Sequence, residues 1–283
     1  MGKVRIFTDT GCDLEPSVMQ EYGIECFSMP VTVNGMTYRD RQDIWPEEFY
    51  RLLEDKDAIP STAQISPADF RTAFQPILNE TDDEIIYIAF SSGCSGTYQS
   101  AVLTAQDLDP QRITVIDSLS ASIGHGLIVL RAAQMAAEGH SRDEIVTVAE
   151  DYVRRMQHIF IVGNFEMLRR GGRVGNAAAM LGDLLNIKLI LHFVDGKIVP
   201  LEKIRGLKKA KKRMLEVMEE RAADDVKDQL IGLSHAHDLN GAQEMQQLVQ
   251  ERLGCEKFFV SEIGATIGSH VGAGTCALFF LSK

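Results

Sequence analysis

The sequence predicts an α/β protein in two parts. Residues 1–157 read as a mostly parallel sheet with helices on both faces, and residues 158–283 as an α+β domain with a largely antiparallel sheet. Three observations carry this. Apolar runs alternate with amphipathic stretches through the first half, the pattern of strands buried on both faces. Asp195-Gly196 separates two apolar runs in the second half, a hairpin signal. Near 155–160 the helix-like EDYVRRM gives way to the strand-like IFIVGNF.

Element by element, strands are expected at 4–10, 25–33, 84–90 and 112–118. Helices fall between them around 13–22, 46–54, 66–78, 96–107 and 124–138. Asn34-Gly35 suits a tight hairpin turn. Gly139 ends one helix, and Ser141 with Glu144 forms a capping box that opens the next. Beyond 157, strands are expected at 187–194, 197–204, 229–235, 257–263 and 275–282, with helices near 207–222 and 240–253. A crevice between the two parts is the natural place for a ligand.

Composition narrows the function. Hydrophobic residues make up 45 % of the 283 and charged residues 24 %, an ordinary globular balance. No run approaches the roughly 20 apolar residues of a bilayer span. The opening MGKVRIFTDTGCDL reads as a buried strand rather than a secretory segment. Five scattered cysteines without C-x-x-C spacing fit reduced thiols and a cytoplasmic location. A net charge of −11 argues against nucleic-acid binding. One local exception is KIRGLKKAKKR, 203–213, with seven cations in eleven residues; it reads either as a solvated helix face or as a docking patch for an anionic partner.

Four segments share a small, polar, turn-forming character: PSTAQISP (60–67), SSGCSGTYQSA (91–101), DSLSASIGHG (117–126) and GATIGSHVGAGT (264–275). The second follows a strand and opens a helix, so it delivers Ser95, Thr97 and backbone N–H groups to a helix N-terminus, suited to an anion or to simple capping. It is not a nucleophile elbow, because Thr97 stands where the last glycine belongs. It lacks the lysine of a P-loop, and no G-x-G-x-x-G follows the first strand. His270 sits in a glycine-rich turn with space beside its ring and can donate a hydrogen bond to a carboxylate. Asp9 and Asp13 lie at the carboxyl end of the first strand, as site residues or as helix caps. His235 and His237, expected on one strand face, make a thin metal site with Asp238. RRGGR, 169–173, suits anion contact or a helix-ending turn.

In order along the chain, TDTGCDL, PSTAQISP, SSGCSGTYQSA, VIDSLSAS, FEMLRRGGRVG, LNIKLIL followed by DGKI, KIRGLKKA and GSHVGAGT resemble the DegV family. That family includes FakB, the fatty-acid-binding subunits of bacterial fatty acid kinase. The resemblance covers essentially the whole chain. It implies a long-chain fatty acid held in a tunnel between two domains, with the carboxylate gripped at positions matching Thr62, Ser95 and His270, helped by Gly96 and Thr97. It further implies no cofactor, no catalytic residue and no metal. A separate ATP-using kinase subunit would form the acyl phosphate for phospholipid synthesis, with transient membrane contact. Arg170, Arg173 and Arg205 are the candidates to touch that subunit or the phosphate. The chain departs from the family's common pattern at Ala63 and Ile65, at Leu189 and at Gly206. From the residues alone, a stand-alone hydrolase or acyltransferase using Ser95, or a lipid-sensing regulator, remain as alternatives.

Overall fold

The computed structural model describes residues 2–55, 57–174 and 186–283. Gly175 and Leu185, the ends of two of the motifs above, lie outside the described residues. In chain order, β1 (Val4–Asp9) leads through a 3₁₀ turn to α1 (Pro16–Glu21) and β2 (Glu25–Phe27). The hairpin of β3 (Pro30–Val33) and β4 (Met36–Arg39), then α2 (Pro46–Leu52) and β5 (Ser61–Thr62), follow. Next come α3 (Pro67–Glu80), β6 (Glu84–Ala89), α4 (Thr97–Leu108), β7 (Ile113–Asp117), α5 (Ser122–Ala137) and α6 (Arg142–Arg155).

β1, β2, β6 and β7 form a parallel sheet in the order β2-β1-β6-β7. Its strands are apolar almost throughout, with Ile85 to Ala89 fully buried, because helices cover both faces. The run 25–33, expected as one strand, is two. Phe27 ends the pairing with β1, and the Met29 N–H turns to the Thr10 hydroxyl (3.0 Å). The chain then enters a separate antiparallel sheet in the order β4-β3-β5. Pro30 at the start of β3 has no N–H to continue the first ladder. Asn34 and Gly35 both have positive φ (51° and 78°), as a two-residue hairpin turn requires. The Ser141–Glu144 capping box is present at the start of α6.

The second half comprises β8 (Met156–Ile161), α7 (Phe165–Arg170), β9 (Ile187–Val194), β10 (Lys197–Arg205), α8 (Leu207–Arg221), β11 (Ile231–His235), α9 (Leu239–Leu253), β12 (Phe258–Glu262), α10 (Ala265–Val271) and β13 (Cys276–Leu281). Its sheet runs β10-β9-β8-β13-β11-β12 and is antiparallel except for the β11–β12 pair. The period-2 alternation of strands divides this sheet cleanly. Ile159, Ile161, Cys276, Leu278 and Phe280 pack on one face with α8 and α9 residues such as Met214, Met218 and Met245. The alternate residues Phe160, Ala277 and Phe279 join the core that also holds Ile6, Phe7 and Tyr87 of the parallel sheet.

α5 lies between the two sheets and packs on β1 as well as on β8, β11 and β13. It is buried nearly all round, as a helix without a polar face must be. Two glycines permit the close approach. A Cβ on Gly126 would stand 2.6 Å from the Cys12 carbonyl oxygen, and one on Gly124 would stand 2.6 Å from His158 Nε2.

The basic segment 203–213 does not form one continuous charged face. Lys211 is buried, donating to Glu244 (2.7 Å) and to the Gly241 carbonyl (3.1 Å), while Arg213 pairs with Glu202 and Glu220. Lys208, Lys209 and Lys212 are exposed. His235 and His237 do not share a strand face either. β11 ends at His235, and His237 has a left-handed backbone (φ 53°) that breaks the alternation. His235 is buried, whereas His237 is exposed and stacks on Tyr50. Among the described residues no group of three or more potential ligands is placed to hold a metal ion. All five cysteines are free, and no described helix is long and apolar enough to cross a membrane.

Candidate functional site

The strands and helices of both halves enclose a cavity of about 280 Å³. Its walls are largely aromatic and aliphatic: Phe160, Phe193, Ile198, Ile267, Val271 and Phe279. Phe193 and Ile198 come from the two arms of the β9–β10 hairpin, Phe160 and Phe279 from the face of β8 and β13 turned away from α8 and α9. The turn of that hairpin is fixed to the other half, since the Ser91 hydroxyl donates to the Gly196 carbonyl (2.7 Å).

Against this apolar lining stands a polar cluster formed by Thr62, Gln64, Ser95, Gly96, Arg173 and His270; Ser122, Thr266 and Thr275 also line the cavity, their hydroxyls engaged elsewhere. Thr62 is placed by β5, which pairs with β3 at Val31. Its hydroxyl lies 2.9 Å from His270 Nε2. Ser95 precedes α4 and is oriented from behind: its Oγ accepts from the Thr97 N–H (3.2 Å) and lies 2.9 Å from Thr97 Oγ1. Thr97 is fully buried and does not line the cavity; its Oγ1 also accepts from the Ile65 N–H (3.3 Å), tying the two hydroxyl-bearing loops together. Gly96 packs closely on Gln64, since a Cβ there would lie 2.0 Å from Gln64 Oε1, and the Gln64 amide donates to the Ser100 hydroxyl (3.0 Å). Thr62, Ser95, Gly96 and Arg173 are half-buried and Gln64 is exposed, so the polar cluster is reachable from outside; of the apolar walls, Phe160, Val271 and Phe279 are buried and Phe193 and Ile198 half-buried.

His270 lies in the last turn of a helix, not in the glycine-rich turn its sequence implies. The helix forms because a distant carboxylate caps it. Asp40 accepts from the Ala265 and Thr266 N–H groups (3.0 and 2.9 Å), and Asp13 accepts from the Gly264 N–H (2.8 Å). Both carboxylates are fully buried beside the equally buried Arg41, whose guanidinium lies 3.6 Å from Asp13 and donates to the Glu262 carbonyl (2.6 Å). Burial outweighs the pull of Arg41 and pushes the Asp13 carboxyl up to about 7. Asp9 is likewise structural: it caps the 3₁₀ turn through the Gly11 N–H and accepts from the Tyr87 hydroxyl (2.6 Å).

Burial, and next the charge of Arg173, lower the His270 pKa to about 4, so the ring is neutral near pH 7. His270 Nδ1 has no hydrogen-bond partner among the described residues. Arg173 lines the cavity, donating from Nε to the Cys94 carbonyl (3.2 Å) and from Nη1 to the Gly171 carbonyl. The other two arginine candidates do not reach it. Arg170 is exposed and paired with Glu166 (2.9 Å), and Arg205 is exposed at the end of β10. A second histidine, His158, lies in the apolar wall, where burial lowers its pKa to about 3. Its place inside the cavity follows from β-alternation with Phe160, but the sequence reading does not single it out.

These histidines fix a pH dependence. Below pH 6.5 the unfolded chain protonates both rings, while the folded chain resists until about 4 (His270) and about 3 (His158), so their contribution to stability is lost on acidification. Asp13 works in the opposite sense between 3.8 and about 7. Urea unfolding at pH 4.5 to 6 should therefore show a slope lower by one proton in His158→Phe than in the unaltered chain, about 1.4 kcal/mol per pH unit. Equal slopes would mean His158 is not buried as described.

A sequence model of the family described as "Uncharacterised protein, DegV family" matches residues 3–283. The chain belongs to the DegV family. A DegV domain-containing protein of Caldanaerobacter subterraneus subsp. tengcongensis is 35 % identical over 283 residues, the whole of both chains. Among solved structures, a fatty-acid-binding DegV family protein from Thermus thermophilus is 32 % identical, with a TM-score of 0.88 over 99 % of this chain and 100 % of that one. DegV from Bacillus subtilis, described as a fatty acid binding protein, is 28 % identical, with a TM-score of 0.87 over the full length of both. The α/β architecture, with its parallel first sheet and mostly antiparallel second sheet, is therefore that of DegV proteins.

Proposed function

We propose that this protein holds one long-chain fatty acid in the cavity, its carboxylate at the polar cluster and its chain along the aromatic walls. The observation that carries the proposal is one cavity whose described lining joins apolar walls to a cluster of Thr62, Ser95 and His270. Each buried methylene favours binding by about 0.8 kcal/mol, whereas the carboxylate needs paired donors. If His270 Nε2 donates to the Thr62 hydroxyl, the hydroxyl proton of Thr62 is left to donate to the acid. Ser95, the Gly96 backbone at the start of α4 and the Arg173 charge complete the seat. The two parts, 1–157 and 158–283, act as the two domains that enclose the chain. Fatty acid binding by two of the similar structures supports this reading.

The protein then serves as a carrier in the cytoplasm, presenting the acid to a separate ATP-dependent kinase subunit and handling the acyl phosphate for phospholipid synthesis. The outward-facing polar end suits in-line attack on a γ-phosphoryl group. In this reading Arg173, which lines the cavity, meets the phosphate, and the exposed Arg170 and Arg205 meet the partner's surface. A hydrolytic reading is disfavoured, because Ser95 Oγ is engaged with Thr97, and among the described residues no carboxylate orients His270.

Mass spectrometry of lipid extracted from the purified protein should find a long-chain acid at about one per chain. Ser95→Ala and His270→Ala should each weaken palmitate binding about 10- to 100-fold, the loss of a hydrogen bond to a charged group. Acyl phosphate should form only when a kinase subunit and ATP are added. Absence of bound acid, with unaltered affinity in both variants, rejects the site; product without a kinase subunit rejects the carrier role.

A further inference from the structure

Arg131 is the one Asp, Glu, Lys or Arg of α5. It is half-buried and makes no hydrogen bond or ion pair with any described residue. Every other arginine among the described residues that is not exposed donates to at least one oxygen. A cation partly withdrawn from water and left unpaired is unfavourable, so a group that pairs with it gains by doing so.

Arg131 opens onto a second cavity, of about 110 Å³, which shares no described lining residue with the first. Leu127, Leu130, Arg131 and Gln134 recur at helical spacing, so α5 turns one face toward it. Tyr152 and Met156, four residues apart where α6 gives way to β8, stand opposite. Leu281 pairs with Met156 and completes an apolar floor with Leu127 and Leu130. Met156 and Leu281 lie at the end of β8 and β13 opposite to Thr275, which lines the first cavity. Two more polar side chains line the recess, the Gln134 amide and the Tyr152 hydroxyl. Both are half-buried, and neither side chain has a hydrogen-bond partner among the described residues. Gln229 is part of the wall instead: it accepts from the Leu281 N–H (2.9 Å) and donates to the Leu281 carbonyl (3.2 Å) and to Asp225 (3.0 Å). No carboxylate side chain is among the described lining residues.

We propose that this recess is a second binding site, taking a small carboxylic acid with a compact, branched apolar body. Its carboxylate accepts two parallel N–H groups of Arg131, the bidentate fit that a guanidinium favours. Gln134 and Tyr152 each supply a further donor, and the body rests on Leu127, Leu130 and Met156. At about 10–15 Å³ for each water-sized group, the volume admits about seven to ten heavy atoms, far fewer than a long-chain acid has. One cation above an apolar floor suits a monocarboxylate better than a phosphate, which would leave the floor uncovered. The site stands independently of the fatty-acid reading.

The test uses the full chain near pH 7, titrated with 4-methylpentanoate, 4-methylpentanamide and acetate and followed by two-dimensional amide NMR spectra. The amide keeps the body and loses the charge; acetate keeps the charge and loses the body. 4-Methylpentanoate should bind at least tenfold more tightly than either, and in Arg131→Gln its advantage over the amide should vanish. Leu230 is 38 % exposed at the rim of the recess, so Leu230→Trp should fill it and abolish binding with the fold intact. Ser95→Ala and His270→Ala should leave the affinity unchanged. Equal binding of acid and amide overturns the proposal, as does an advantage that survives in Arg131→Gln or an unchanged affinity in Leu230→Trp. Loss of binding in Ser95→Ala or His270→Ala places the acid in the first cavity and also overturns it. So does the absence of binding at millimolar concentration. Should Arg131→Gln fail to fold, the acid–amide comparison in the unaltered chain and Leu230→Trp decide.

Discussion

Arg41→Met should cost about 3–5 kcal/mol of folding stability, the usual penalty for removing one partner of a buried ionic group. In a chain of this size, thermal unfolding should shift down by about 10 °C. Asp13 and Asp40 would remain fully buried beside the start of α10 without their cation. The defect should be smaller at pH 5 than at pH 8. Asp13, already pushed up to about 7 with Arg41 present, would rise further without it and take up a proton at pH 5. Because Asp13 and Asp40 hold the first turn of the helix that carries His270, palmitate affinity should fall with stability. A loss below about 1 kcal/mol, or one independent of pH, would show that the network does not carry the helix.

Ala277→Phe should weaken palmitate binding more than 100-fold. Ala277 is buried, lines the cavity and pairs with Phe160 across β8 and β13, so a phenyl ring there occupies the sleeve. Excluding four methylenes at about 0.8 kcal/mol each removes about 3 kcal/mol. The ligand-free protein should lose little stability, because the ring fills space rather than displacing packed neighbours. Unchanged affinity measured by calorimetry would mean the acyl chain lies elsewhere.

Much of the architecture is legible in the sequence because its causes are local. The apolar runs of β1, β6 and β7, the Asn34-Gly35 and Asp195-Gly196 turns and the Ser141–Glu144 box each carry their own signal within a few residues. The features that escape it depend on distant partners. α10 forms across Gly268 because Asp40, 225 residues from Ala265, receives its first N–H groups. Lys211 reads as part of a charged face, but Glu244 and the Gly241 carbonyl draw it inward. Thr62, Ser95 and His270 stand out as small polar loops, yet only the packing of both halves brings them to one cavity. Alternation along β8 and β13 separates two faces without saying which one meets helices and which one meets a hollow. Arg173 reads as one of several equivalent arginines, and only its contacts with Cys94 and Gly171 set it apart from Arg170 and Arg205.

The placement of α5 has a mechanical consequence. Because the helix touches both sheets and passes Gly124 beside His158, neither half can swing open as a rigid shell without first stripping that shared wall. A ligand bound as proposed would have to enter by release of the β9–β10 tip, which the Ser91 hydroxyl latches to the other half. The barrel of the vessel stays closed, and traffic is left to its rim.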